Sequence, residues 1–272
     1  MAFMAKVHLT GAQATMLATL YGRALDAESS HPLLNDTMAL DAVRKIDADF
    51  GATGLHRSDR ITVALRAGHL DAWTREFLAT HPEATVLHLG CGLDSRVYRV
   101  DPGPGVRWFD VDYPDVIELR RRLYPPRDGY ETIASSVTDP AWLTRVPADR
   151  PVLVVAEGLT MYLREDEGRA LVRRIVDRFP AGQFVFDAFS RRGIRMQRIN
   201  KVVQVAGATL HWGVDDGAEL EAIAPGLRCV TALSAFSIEG YEKLGLGYRA
   251  LVGVARLLPV MRRMSVFYRL EF

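Results

Sequence analysis

Three apolar runs in this chain end directly on residues that can bind or react. ATVLHLG (84–90) leads into the turn Gly90-Cys91-Gly92, VRWFDVD (106–112) ends on Asp112, and PVLVVAEG (151–158) ends on Glu157. Short apolar, β-branched runs read as buried strands, and in a doubly wound sheet ligands bind beyond the strands' carboxyl ends. Two glycines one residue apart permit a tight turn and a close backbone approach. An acid about 20 residues past such a turn can accept both hydroxyls of a ribose. Asp110 and Asp112 fall on one side of their strand, and Asp112 lies nearer the edge; it is equally placed to cap the helix opening at Pro114. A carboxylate at Glu157, after five apolar residues, is costly to bury without a cation. A neighbouring arginine would supply one, and so would a sulfonium ligand with an α-amino group.

Two nucleotide patterns are missing. The third glycine of GxGxxG would fall at Ser95, which counts against a nicotinamide oxidoreductase, and no Gly-Lys-Ser/Thr is present. A ribose-bearing nucleoside with a compact, non-phosphate tail fits the pattern, and S-adenosylmethionine fits better than NAD.

Around these turns the chain must build a sheet. ETIAS (131–135) and QFVFDAF (183–189) add two more strands, with amphipathic helices expected near 94–100, 114–123, 140–145 and 165–179. Strands alternating with helices predict an α/β fold with a parallel doubly wound sheet. Before it, residues 12–80 read as three helices, near 12–28, 37–50 and 61–80. The first carries Met16, Leu17, Leu20, Tyr21, Ala24 and Leu25 at helical spacing, and the last stops before His81-Pro82. After Phe189, residues 191–212 read as a helical insertion, and 227–237 and 265–272 as closing strands forming an antiparallel hairpin at the sheet edge. The expectation is a single domain: an N-terminal helical cap (1–80), a Rossmann-like core (81–190), a helical insertion (191–226), and C-terminal strands and a helix (227–272).

Composition narrows the function class. The 272 residues are 49% apolar and 25% charged, which excludes long disorder. A net charge of +1 leaves no footprint for nucleic acid. No apolar run reaches the roughly 18 residues of a membrane span, and the first ten residues lack a secretory signal. Cys91 and Cys229 cannot form a disulfide scaffold, and no metal-ligand spacing is present, so a cytoplasmic, metal-free protein is expected. The apolar, arginine-studded stretch 251–264 could face a second copy of the chain.

His88-Leu89-Gly90-Cys91-Gly92-Leu93-Asp94-Ser95-Arg96, Phe109-Asp110-Val111-Asp112-Tyr113-Pro114 and Ala156-Glu157-Gly158-Leu159-Thr160-Met161-Tyr162-Leu163 resemble the leucine carboxyl methyltransferase family, and within it the tetracenomycin-type polyketide carboxyl O-methyltransferases. The resemblance runs from about Tyr21 to Phe189 and more loosely beyond. It implies a class I methyltransferase fold with a seven-stranded sheet, and S-adenosylmethionine as methyl donor. It places Arg66, in the stretch before Asp71, near the methionine carboxylate, Gly90 and Gly92 behind the methionine portion, Asp112 on the ribose, and Glu157 at the amino end. Cys91 and Asp94 of the same turn, and Ser136-Val137 after the third strand, complete the implied donor set. Family members often carry Asp-Leu where this chain has Ser136-Val137, and proline where it has Thr37.

The acceptor decides whether a base is required. A carboxylate is ionised at neutral pH, whereas a phenol must be deprotonated. His88 reads as a packed strand histidine; Tyr162 and His211 are the candidate catalytic side chains. Arg23 and Arg191-Arg192 are candidates to receive a carboxylate, and Tyr21, Tyr162, Phe189 and Trp212 to wall a flat polyketide. The reading is methyl-ester formation on a carboxylated small molecule. Methylation of a hydroxyl, methylation of a protein tail, and non-catalytic donor binding remain as alternatives.

Overall fold

In the computed structural model, residues 5–6 and 11–272 are described. Seven strands form one sheet: β1 (Thr85–Leu89), β2 (Arg107–Asp112), β3 (Tyr130–Ala134), β4 (Val152–Ala156), β5 (Gly182–Phe189), β6 (Arg228–Ser234) and β7 (Ser265–Glu271), in the order β3-β2-β1-β4-β5-β7-β6. β1 to β5 are parallel. β7 runs antiparallel between β5 and β6, so the expected hairpin closes the edge. The strand order reverses between β1 and β4, and a ligand crevice opens at such a switch point.

Every residue of β1 and of β4 is buried, because helices cover both sheet faces. The period of two divides the strand side chains between two layers. Leu87, Leu89, Phe109, Val154, Ala156, Phe184 and Phe186 pack with Leu171, Val172 and Ile175 of α6 (Glu165–Arg178). Val86, Trp108, Leu153, Val155 and Val185 pack with Leu70, Trp73 and Phe77 of α3 (Arg60–Thr80).

The N-terminal helix α1 (Ala12–Ala27) packs against both α2 (Thr37–Lys45) and α3. The helix expected over 37–50 stops at Lys45, where the chain becomes extended and Ile46–Asp47 pairs with Ala5–Lys6. The insertion is less helical than its sequence suggests. It breaks into α7 (Arg191–Arg195), a 3-10 turn at Gln197–Ile199 and α8 (Lys201–Val205). The Asn200 side chain caps α8 by accepting from the Val203 N–H, and Gly207, at φ 63°, ends it. The Gly11 N–H donates to the Ala206 carbonyl at 2.9 Å, tying the start of α1 to the end of α8. Stretch 251–264 forms the end of the helix Leu246–Leu257 and the turn beyond it, with Leu251 and Leu257 exposed.

Trp212 takes a core position rather than the predicted place in an aromatic wall. It is 3% exposed and packs in the layer under α6, its ring filling the space left by the absent side chain of Gly168. A methyl group at 168 would overlap that ring. Gly168→Ala, which ordinarily stabilises a helix, should here lower unfolding free energy by about 1–3 kcal/mol through overpacking. Denaturant titration checks both sign and size.

Candidate functional site

A cavity of about 480 Å³ lies at the switch point, over the carboxyl ends of β1, β2 and β4. The turn after β1 forms one wall. Gly90 and Gly92 sit at φ 60° and 48°, in the left-handed region, and a Cβ on Gly90 would meet Leu159 Cδ1 at 2.9 Å. The Gly90 N–H donates to the Val111 carbonyl at 2.8 Å, holding the turn against β2.

Asp112 closes the same turn from the end of β2. Its Oδ2 accepts the Gly92 N–H at 2.7 Å and its Oδ1 the Tyr113 N–H at 2.8 Å. A carboxylate offers about four acceptor positions, so each oxygen keeps capacity for a further donor. Burial raises the Asp112 carboxyl above its ordinary value, against the opposing pull of those two N–H groups.

Glu157 faces the cavity already paired. Its Oε1 accepts from Arg66 Nε at 2.9 Å and its Oε2 from Arg96. Arg66 Nη1 stands 3.7 Å from Asp187 Oδ2, and Asp187 Oδ1 accepts the Gly158 N–H at 2.6 Å. Burial would raise the Glu157 carboxyl, but the Arg66 and Arg96 guanidiniums outweigh it and hold it low. For Asp187 burial wins, and the carboxyl is pushed up. The two explanations that sequence left open for Glu157 are therefore compatible: arginines neutralise it in the chain, and the Arg66–Glu157 pair still forms part of the cavity wall.

Behind this pair lies a charge network that the sequence reading missed. Arg96, 0% exposed, pairs with Asp71 (3.1 Å), Asp94 (3.1 Å) and Glu157. Arg99 pairs with Asp36 (2.7 Å), Asp71 (2.8 Å) and Asp94 (2.6 Å), and Arg23 with Asp36 (3.3 Å). Arg96 and Arg99 are one turn apart on α4 (Arg96–Val100), a spacing that could have flagged a charged helix face, though not its burial.

The structure brings Arg66, Gly90, Cys91, Gly92, Asp94, Asp112, Val137 and Glu157 to this one cavity, together with Arg23, Tyr162 and Phe189. It places the other candidates elsewhere. Ser136 turns its hydroxyl to Thr138 at 2.8 Å, and Ser135 lines the wall instead. Tyr21 stacks on Phe50, ring centroids 5.4 Å apart, in the packing between α1 and its neighbours. Arg191 lies on the surface, paired with Glu219 and Asp215. Trp212 is core, and His211 is exposed, anchored by its N–H to the Met161 carbonyl at 2.7 Å rather than presented to the cavity. Sequence reasoning did not find Met16, Leu55, Met161, Val202 and Val203, ordinary apolar residues that complete the wall only after folding. Among the described residues no cluster of His, Cys, Asp or Glu could hold a metal ion.

The family described as leucine carboxyl methyltransferase matches residues 14–176. The chain is 49% identical over 222 residues to the tetracenomycin polyketide synthesis O-methyltransferase TcmP of Streptomyces glaucescens, covering 82% of each chain. It is 40% identical to the S-adenosyl-L-methionine-dependent methyltransferase dpfgK of Gibberella zeae, covering 98% of this chain and 97% of that one. Among solved structures, a DUF574-family protein from Streptomyces avermitilis superimposes with a TM-score of 0.61 at 12% identity, covering 96% of this chain and 97% of the other, which bears on the fold alone.

Without the Glu157 charge Arg96 keeps Asp71 and Asp94, and Arg66 keeps Asp187, so neither guanidinium is left fully unpaired. Glu157→Gln should lower stability at pH 7 by about 1–3 kcal/mol, the cost of weakened charge-assisted hydrogen bonds. Asp94 and Glu157 are both held low by arginines. Depressed carboxyls stabilise the fold above their unfolded values, near pH 4, and that contribution is lost as pH falls through the lower folded ones. Denaturation below pH 4 should therefore show falling stability in the parent protein and a shallower fall in Glu157→Gln.

Proposed function

The chain belongs to the leucine carboxyl methyltransferase family, and from that premise we propose an S-adenosylmethionine-dependent O-methyltransferase that esterifies the carboxylate of a small molecule, a polyketide intermediate. The observation that carries this reading is a single cavity holding a glycine turn, the Asp112 carboxylate and the Arg66–Glu157 pair.

The cavity's chemistry fits that donor. Asp112 has acceptor capacity for two ribose hydroxyls beyond its two backbone donors. Arg66 and Glu157 present adjacent opposite charges, matching a zwitterion: Arg66 meets an α-carboxylate and Glu157 an α-ammonium. Gly90 and Gly92 let the backbone approach the methionine portion. Val137 offers an apolar wall to the adenine, its carbonyl fixed by the Trp142 indole N–H at 3.1 Å, while Asp139, the first acid after β3, caps the next turn through the Ala141 N–H and does not line the cavity. When bound, S-adenosylmethionine supplies a methyl group activated by a sulfonium. The chain's task is then to align the acceptor and exclude water, and Met16, Met161, Phe189, Val202 and Val203 line the cavity with apolar surface.

Four titratable wall residues, His88, Asp94, Glu157 and Tyr162, favour an acceptor that arrives ionised. His88 Nδ1 lies 3.0 Å from Asp110, Glu157 and Asp94 are held by arginines, and burial keeps the Tyr162 phenol above its ordinary value, a poor base at neutral pH. A carboxylate needs no base. The polyketide assignment draws on TcmP, whose name places it in tetracenomycin polyketide synthesis.

Asp112→Ala should weaken donor binding roughly 10- to 100-fold, the size of one or two hydrogen bonds to a charged group; calorimetry with S-adenosylhomocysteine reads this directly. Label transferred from methyl-labelled donor to a carboxylated aromatic acceptor should be released by mild alkali, as from an ester. Alkali-stable label would indicate an aryl ether, and loss of turnover in His211→Ala would give that histidine the role of base.

A further inference from the structure

The turn on which the donor reading rests is held from behind. Three consecutive carbonyls, of Gly92, Leu93 and Asp94, each accept from a buried side chain. Arg120 Nη1 donates to Gly92 O and to Asp94 O, both at 2.8 Å. The Leu93 carbonyl accepts the Tyr124 hydroxyl at 2.7 Å and Arg23 Nη2 at 3.1 Å. Arg120 and Tyr124 belong to α5 (Pro114–Leu123) and its C-terminal cap, are buried, and stand outside the cavity.

Arg120 is itself fixed. Its Nη2 pairs with Asp110 and donates to the Tyr130 hydroxyl at 3.0 Å. Asp110 also accepts the Trp108 indole N–H at 2.9 Å and the Tyr130 hydroxyl at 2.7 Å. One guanidinium therefore locks α5 to β2, two residues before Asp112, and to the turn after β1. A guanidinium fork can satisfy two carbonyls with one nitrogen and an anion with the other; the point charge of a lysine cannot reach both in that geometry.

We propose that Arg120, with Tyr124 and Arg23, is a positioning residue for donor binding. It holds the peptide planes of 92–94 in their bound arrangement before the donor arrives, so that binding carries no cost of ordering the turn. The inference rests on the donor-site reading above. It also gives Arg23 a different part from the carboxylate receptor expected from sequence: its guanidinium is committed to Asp36 and the Leu93 carbonyl.

The test uses the full-length chain with two variants, Arg120→Lys and Tyr124→Phe. The second keeps the ring and removes one hydrogen bond, so it remains informative if the first does not fold. S-adenosylhomocysteine affinity is measured by calorimetry on protein shown to be folded by circular dichroism, and donor KM, acceptor KM and kcat by label transfer. We expect Arg120→Lys to raise Kd and donor KM about tenfold and Tyr124→Phe to raise them two- to fivefold, as for weakened hydrogen bonds, with acceptor KM and kcat within twofold of the parent. A folded Tyr124→Phe with parental Kd, or variants losing thermal stability alone, would overturn the proposal. If the parent protein itself fails to bind S-adenosylhomocysteine, the donor reading fails and takes this inference with it.

Discussion

A carboxylate buried at the end of a strand must be neutralised, and the requirement at Glu157 organises much of this molecule. Four arginines (Arg23, Arg66, Arg96, Arg99) and four acids (Asp36, Asp71, Asp94, Glu157) meet in one nearly dry network. Its members come from α1, the cap of α2, α3, the turn after β1, α4 and the end of β4. Most members have two or three partners from different elements, so the elements can adopt few other arrangements without losing buried pairs. Asp36 shows how local and global demands coincide. It caps α2 by accepting the Ala39 N–H at 3.0 Å, accepts the Ser95 hydroxyl, and still pairs with two arginines. Ser95, the residue that breaks a dinucleotide glycine pattern, thus has a positive role in this chain.

The same economy shapes the binding face. Asp112 fixes the glycine turn through the Gly92 N–H and retains acceptor positions for a ligand. Arg66 holds Glu157 in place while both side chains line the cavity. In the donor reading proposed above, the groups that build the site would also be the groups that recognise, which suits a ligand bearing opposite charges close together, because charge groups already ordered by the fold need little rearrangement on binding.

The sheet was legible from sequence because each strand announces itself by a short β-branched run and each helix by its apolar spacing, and the acids and glycines that follow β1, β2 and β4 fall at fixed places in that topology. Register is set by those runs, so Gly90, Gly92, Asp112 and Glu157 had to converge once the strand order was right. What could not be read depends on side-chain direction in irregular segments. Ser136 and Val137 are adjacent, yet only Val137 lines the cavity. Trp212 and Arg191 have the composition of an acceptor site, but Trp212 answers a vacancy at Gly168, forty-four positions away in sequence, and Arg191 answers Glu219 and Asp215. Neither pairing carries a periodic signal.

These effects bear on the acceptor proposed above. With Arg23 committed to Asp36 and Leu93, Arg191 paired on the surface and Arg192 exposed outside the cavity, none of the three cations expected to greet a carboxylate is free in the cavity to do so. The arginine that lines the cavity with a side chain a quarter exposed is Arg66, shared between Glu157 and Asp187. A carboxylate held by no dedicated arginine keeps more of its nucleophilicity than one locked in a bidentate pair, whose lone pairs are taken up by strong charge-assisted hydrogen bonds. If the acceptor is a carboxylate, as proposed above, the apolar enclosure of Met161, Phe189, Val202 and Val203 would place it by shape, and the anion would stay free to attack the activated carbon.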